Sequence, residues 1–212
     1  PETEELVDLV FDKLKFRWKQ FPILKIVDAG AGSGCLGLGF LDLLLKEEGL
    51  SQSRLELLLI EQSQEAVPYL KTNVENFSSA RLPGDRFQID ILSGSWSSWT
   101  PNTPIQVLLS NPPYISGSLQ DDADQEVKTF EPHEALYPAD LNLHQDASGP
   151  YRELIKIAQQ TVVSGGVVAF ELGASQASWI ASFVEENYPD WRGELIKDMS
   201  RKDRFWIMER IR

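Results

Sequence analysis

Cysteine and histidine are scarce in this chain of 212 residues: Cys35 is the single cysteine, and His133 and His144 are the two histidines. One cysteine excludes an internal disulfide and a thiolate metal cluster, and it fits a reducing compartment. Two histidines this far from each other form no familiar zinc pattern, so no metal is expected. Positive charge is also short, with 20 Lys and Arg against 32 Asp and Glu and a net charge of −12. That balance argues against a stable nucleic-acid partner, because affinity for phosphates rests on Lys and Arg displacing counterions. A protein or small-molecule substrate is favoured instead. Apolar runs such as Leu57–Ile60 fall far short of the roughly 18 residues of a membrane span, so no membrane partner is expected. Pro1 is not followed by a charged-then-apolar signal region, so the chain reads as cut or processed from a longer protein.

What is present is ordinary for a globular domain, at 42% hydrophobic and 25% charged residues. The length fits one domain, residues 1–212, able to bury roughly 70% of its unfolded surface. Strand-like and helix-like segments alternate, which predicts an α/β domain with a mainly parallel sheet. A helix opens at Pro1-Glu2-Thr3-Glu4-Glu5, with Leu6, Leu9, Val10 and Leu14 as its apolar stripe. Strands are expected at Ile23–Val27, Leu55–Ile60, Arg86–Ile89, Ile105–Ser110 and Val167–Leu172, and helices at Leu36–Lys46, Glu65–Asn76, Tyr151–Val163 and Ala174–Tyr188. Ser93–Pro104 reads as a loop, Ser164-Gly165-Gly166 as a turn, and Ile115–Pro150 as a long irregular segment, a length that in a compact domain usually carries function. Glu194–Lys197 and Phe205–Arg210, joined by the charged turn Ser200–Asp203, look like an antiparallel pair at the sheet edge.

The first chemical element is Asp28-Ala29-Gly30-Ala31-Gly32-Ser33-Gly34, between a strand and a helix. Its glycines allow a sharp turn and let a ligand lie against bare backbone, while the helix offers free N–H groups. The run Gly32–Gly37 also satisfies G-x-G-x-x-G, so a nicotinamide dinucleotide remains an alternative. Charge separates the two readings: Asp28 at the mouth of the loop would repel a pyrophosphate but favour the ammonium and sulfonium of S-adenosylmethionine. Glu61, ending the second strand, is placed to accept from ribose hydroxyls in either cofactor class. Asp90, after the third strand, could meet the adenine amino group, with Ile91 packed on the ring.

The second element is Asn111-Pro112-Pro113-Tyr114, directly behind the apolar run Ile105–Ser110. An amide nitrogen attacks a methyl group poorly because its lone pair is delocalised into the carbonyl. Two acceptors, the Asn111 side-chain oxygen and the Pro112 carbonyl, can each take one N–H and stabilise the positive charge that develops. Pro113 forces Pro112 into an extended conformation, and Tyr114 can stack on the flat acceptor. Alignment then supplies much of the rate, with no strong general base required.

With those residues in place, the chain resembles the HemK/PrmC family of protein-(glutamine-N5) methyltransferases. Pro1-Glu2-Thr3-Glu4 is similar to the end of the family's R-P-x-T-E segment, Asp28–Gly34 to its cofactor loop, and Asn111–Ile115 to its N-P-P-Y-I signature. Phe130-Glu131-Pro132 with Ala135-Leu136, the pair of runs Ser164-Gly165-Gly166 and Glu171-Leu172-Gly173, and Asp203-Arg204 extend the similarity over nearly the whole chain. The resemblance implies a Rossmann-like class I S-adenosylmethionine-dependent methyltransferase, with a seven-stranded, mainly parallel sheet and an antiparallel edge strand. It implies methyl transfer to the glutamine of the Gly-Gly-Gln loop of a class I peptide-release factor. Donor binding would fall to Asp28, Gly30, Gly32, Gly34, Glu61, Asp90, Ile91 and Asn111, catalysis to Asn111, Pro112 and Tyr114, and substrate binding to Asn111–Tyr114 and Glu131. The family's N-terminal helical domain is expected to be missing, and Asp140–Gly149 is longer than the family's corresponding region. The compartments open to such an enzyme are the cytoplasm or, in a eukaryote, the mitochondrial or plastid matrix. N-P-P-Y also occurs in adenine-N6 and guanine-N2 methyltransferases, so base methylation is one alternative and an inactive cofactor-binding scaffold another.

Four features stand outside that assignment. Cys35, at a helix N-terminus, is expected to be a small packing residue, and Trp96 and Trp99 to pack a loop rather than form a lid. His133 is expected at the surface or in packing, and the acidic run Asp121–Glu126 either to be solvated or to meet basic residues of a protein substrate.

Overall fold

A computed structural model describes residues 2–14, 18, 21–47, 53–81, 86–100, 103–112, 148–173 and 176–212. Within them lie α1 (Glu2–Leu14), β1 (Ile23–Ala29), α2 (Cys35–Lys46), β2 (Arg54–Glu61), α3 (Ala66–Ser79), β3 (Phe87–Ser93), β4 (Ile105–Ser110), α4 (Gly149–Thr161), β5 (Val162–Glu171), α5 (Ala177–Asn187), β6 (Trp191–Lys197) and β7 (Asp203–Arg210). The strands form one seven-stranded sheet in the order β3-β2-β1-β4-β5-β7-β6. β1 to β5 run parallel, whereas β7 is antiparallel to both of its neighbours, so the β6–β7 hairpin closes that side of the sheet.

The central strands read as apolar runs because both sheet faces are covered. In β4, Ile105, Val107, Leu108 and Leu109 are all buried. On one face Leu6, Val10 and Leu14 of α1, Phe40, Leu41 and Leu44 of α2 and Leu70 of α3 pack on Ile26, Leu57 and Leu109. On the other, Leu154, Ile155 and Ala158 of α4 and Ile180 and Val184 of α5 pack on Val27, Leu108 and Val168. Chain order reverses between β1 and β4, and in an open α/β sheet that switch point opens a crevice beyond the carboxyl ends of the strands.

Two expectations are corrected. The third strand does not stop at Ile89 but runs to Ser93, pairing in register with β2 from Leu55↔Phe87 to Glu61↔Ser93. Polar Gln88 and Asp90 obscure it because it is an edge strand with one exposed face. Ser164-Gly165-Gly166 is not a turn between helix and strand: α4 ends at Thr161 and β5 begins at Val162. The pairing with β4 jumps from Ile105↔Val162 to Val107↔Val167, so the glycines form a bulge inside the strand, with Gly165 at φ +77°.

Candidate active site

Backbone hydrogen bonds set the glycine loop against β2. Gly30 N–H and Ala31 N–H both donate to the Ile60 carbonyl at 2.9 Å, and Gly34 N–H donates to the Ala31 carbonyl at 2.7 Å. The Glu61 carboxylate, 7% exposed at the end of β2, accepts from Gly32 N–H and from Ser63 N–H, each at 2.7 Å. Each carboxylate oxygen has two lone pairs, so ribose hydroxyls could still be accepted. Nothing lies within 4 Å of where a Gly32 Cβ would stand, so the backbone there faces open space that a ligand could fill.

Asp28 lies beneath the loop, 1% exposed, rather than at its mouth. Its Oδ2 accepts from Gly37 N–H at 2.8 Å, so a carboxylate on β1 braces the first turn of α2. Its Oδ1 is buried without a hydrogen-bond partner. Burial pushes the carboxyl pKa up to about 7; the Gly37 N–H opposes the shift and the Glu61 carboxylate adds to it. Two carboxylates under one loop, one of them with an orphaned oxygen, suit a cationic ligand and repel a pyrophosphate. The chemistry of these donors therefore fits S-adenosylmethionine.

Across the switch point, β4 carries Asn111, exposed, and Pro112, buried, out of the sheet. Ser110 positions them: its buried hydroxyl donates to the Ala29 carbonyl at 2.5 Å, tying the end of β4 to the entry of the glycine loop. The structure thus brings Asp28, Gly30, Gly32, Gly34, Glu61 and Asn111-Pro112 to one edge of the sheet. It does not bring Asp90 there. Asp90 lies opposite Leu58, three residues before the Glu61↔Ser93 pair, exposed and accepting from Gln88 Nε2 at 2.6 Å, while Ile91 packs half-buried on the core. At that edge β3 contributes Ser93 and Gly94, whose N–H donates to the Glu61 carbonyl at 2.8 Å. Pro113, Tyr114, Glu131, the acidic run 121–126, His133 and His144 lie outside the described residues.

Sequence reasoning missed Ser110, although a lone hydroxyl ending an apolar run is a readable signal. Trp96, expected to pack, does so, 7% exposed with its ring against Gly30, and Trp99 packs partly buried beside it. Cys35 is not a packing residue: it is exposed at the first position of α2, its Sγ 3.1 Å from Ser33 Oγ.

The fold is the one seen in class I S-adenosylmethionine-dependent methyltransferases. Among solved structures, a Listeria monocytogenes protein described as such a methyltransferase superposes with a TM-score of 0.61 at 14% identity, over 100% of this chain and 60% of that one. The human methyltransferase 10 domain containing protein gives 0.57 at 14% identity, over 100% and 83%. At such identities the likeness carries the fold alone. No protein-family model matches the chain. Curated relatives are more specific, each named release factor glutamine methyltransferase. That of Enterococcus faecalis is 28% identical over 209 residues, 99% of this chain and 66% of its own length. That of Staphylococcus aureus is 31% identical over 206 residues, 96% and 64%. By sequence the chain is similar to these release factor glutamine methyltransferases, and it spans 64–66% of the length of these two relatives.

Proposed function

We propose that the chain transfers a methyl group from S-adenosylmethionine to the side-chain amide nitrogen of a protein glutamine, that of the Gly-Gly-Gln loop of a class I peptide-release factor. The observation that carries this reading is the junction at the switch point, where Ser110 ties Asn111-Pro112 to the glycine loop through the Ala29 carbonyl. When bound, S-adenosylmethionine supplies an electrophilic methyl group on a cationic sulfur. Asp28 and Glu61 favour that cation and shape the loop beneath it, while Gly32 leaves its backbone open to the ligand. Asn111 and Pro112 accept the two amide N–H bonds, which aims the nitrogen lone pair and stabilises charge as the N–C bond forms and the S–C bond breaks. The proton leaves the methylated nitrogen to solvent.

The reading rests also on the relatives' shared name and on a net charge of −12 that disfavours a nucleic-acid acceptor. The test is transfer of labelled methyl to a purified class I release factor, beside a release factor with its Gly-Gly-Gln glutamine changed to alanine and beside an Asn111→Ala enzyme. Label is expected only with the glutamine present, and Asn111→Ala should lower kcat by roughly 100-fold or more. Label on the alanine version would place the acceptor elsewhere.

A further inference from the structure

We propose that Glu153 is a positioning residue for the methyl-donor loop, acting through the indole of Trp96. This rests on the reading that the glycine loop binds S-adenosylmethionine. The ring of Trp96 backs the loop so closely that its Cζ3 lies 3.1 Å from the point a Cβ on Gly30 would occupy. The indole N–H, in a side chain only 7% exposed, donates to Glu153 Oε2 on α4 at 2.8 Å. The rest of the segment is already fixed: Gly94 N–H is bonded to the Glu61 carbonyl, and Ser98 Oγ donates to the Ser95 carbonyl at 2.8 Å across the short turn Trp96–Ser98. With the backbone held at both sides, the Glu153 carboxylate fixes the orientation of the packed indole by accepting its N–H.

α4 does not depend on this bond. Tyr151 donates its hydroxyl to the Glu171 carbonyl at 3.0 Å, and Leu154, Ile155 and Ala158 are fully buried. Removing the carboxylate therefore leaves the helix in place and falls on Trp96, whose N–H would lose its acceptor on α4. A ring that turns to find one no longer presses on Gly30, and the loop loses its rear wall.

The experiment is titration calorimetry of S-adenosylmethionine into the native chain and into Glu153→Ala, Glu153→Gln, Trp96→Phe and the Glu153→Ala/Trp96→Phe double variant, with thermal unfolding of each. Glu153→Ala is expected to weaken S-adenosylmethionine binding by roughly tenfold, the effect of losing one hydrogen bond to a charged acceptor. Glu153→Gln, which retains an acceptor oxygen, should stay within roughly threefold, and the double variant should be no weaker than Trp96→Phe because both changes break one bond. The KM for the release factor should not move. S-adenosylmethionine binding to folded Glu153→Ala as tight as to the native chain would overturn the inference, as would additive losses in the double variant. Should Glu153→Ala fail to fold, native-like affinity in Trp96→Phe would overturn it equally. A native chain that binds no S-adenosylmethionine would overturn this inference and the proposed function together, whereas native binding unaffected at Glu153 would overturn this inference alone.

Discussion

Asp28 braces the fold through Gly37, and in the proposed function it also favours the cation of the ligand. Its folded pKa, about 7, lies above the unfolded value of 3.8. Its contribution to stability is therefore complete below the unfolded pKa and is lost as pH rises through the folded one. Asp28→Asn keeps an acceptor for Gly37 N–H and cannot ionise, so its stability relative to the native chain should improve by about 2–4 kcal/mol between about pH 5 and pH 8. Urea unfolding at the two pH values checks this; an unchanged difference would mean that Asp28 does not titrate there. A cationic donor favours the ionised form, so S-adenosylmethionine affinity should rise with pH through the same range in the native chain and stay flat in Asp28→Asn. Two glycines separate fold from site in a similar way. At Gly34, φ is +87° and a Cβ would stand 2.8 Å from Leu70 Cδ1, so Gly34→Ala should cost about 1–3 kcal/mol of stability. At Gly32, φ is +55° but the space is open, so Gly32→Ala should cost less stability and lose donor affinity instead. Thermal unfolding paired with S-adenosylmethionine titration reads both, and equal affinity in native protein and Gly32→Ala would mean that no ligand lies against that backbone.

Among the elements, the bulge in β5 offers the sharpest prediction. A Cβ on Gly166 would lie 2.5 Å from Val162 Cγ1, 2.8 Å from the Gln106 carbonyl oxygen and 2.9 Å from that of Val163. Carbonyls held in a sheet cannot swing aside, so Gly166→Ala should destabilise by about 2–3 kcal/mol, measured by urea unfolding. A loss under about 0.5 kcal/mol would show that the bulge relaxes freely. The same position marks where sequence reading failed. A Ser-Gly-Gly run after a helix looks like a turn, and only its pairing with Ile105 and Val107 of β4, some sixty residues earlier, makes it part of a strand. β1, β2 and β4 were legible because burial on both faces makes strand and apolar run coincide. β3 was cut short because an edge strand exposes polar residues, and that error carried Asp90 to the crevice when it lies three residues short of it. The candidate site was legible where chemistry depends on type and spacing, as in the glycine loop, Glu61 and Asn111-Pro112. It was not legible where one residue supports another across elements: the Ser110 bond to Ala29, the packing of Trp96 on Gly30 and the bond from Trp96 to Glu153 join residues 57 to 81 positions apart, or are set by a bend that no local pattern announces.

For the whole molecule, net charge weighs on the choice of acceptor more than the fold does, since the same sheet serves methyltransferases with different acceptors. At −12, the chain repels a polyanion over distances up to the Debye length, roughly 8 Å at physiological ionic strength, beyond the reach of any single contact. A base methyltransferase would have to overcome that repulsion with a local basic surface. Among the described residues, Lys46 and Arg81 are both paired to Asp42, and Lys25 to Glu56. DNA or RNA added in excess at about 0.15 M salt should therefore leave methyl transfer to a release factor unchanged. Inhibition that weakens steeply as salt is raised would instead reveal a phosphate-binding face and move the assignment toward a nucleic-acid base. The comparison works because the two acceptors would respond oppositely: counterion release makes nucleic-acid binding collapse with salt, whereas a glutamine held as proposed by Asn111 and Pro112 through neutral hydrogen bonds would lose little.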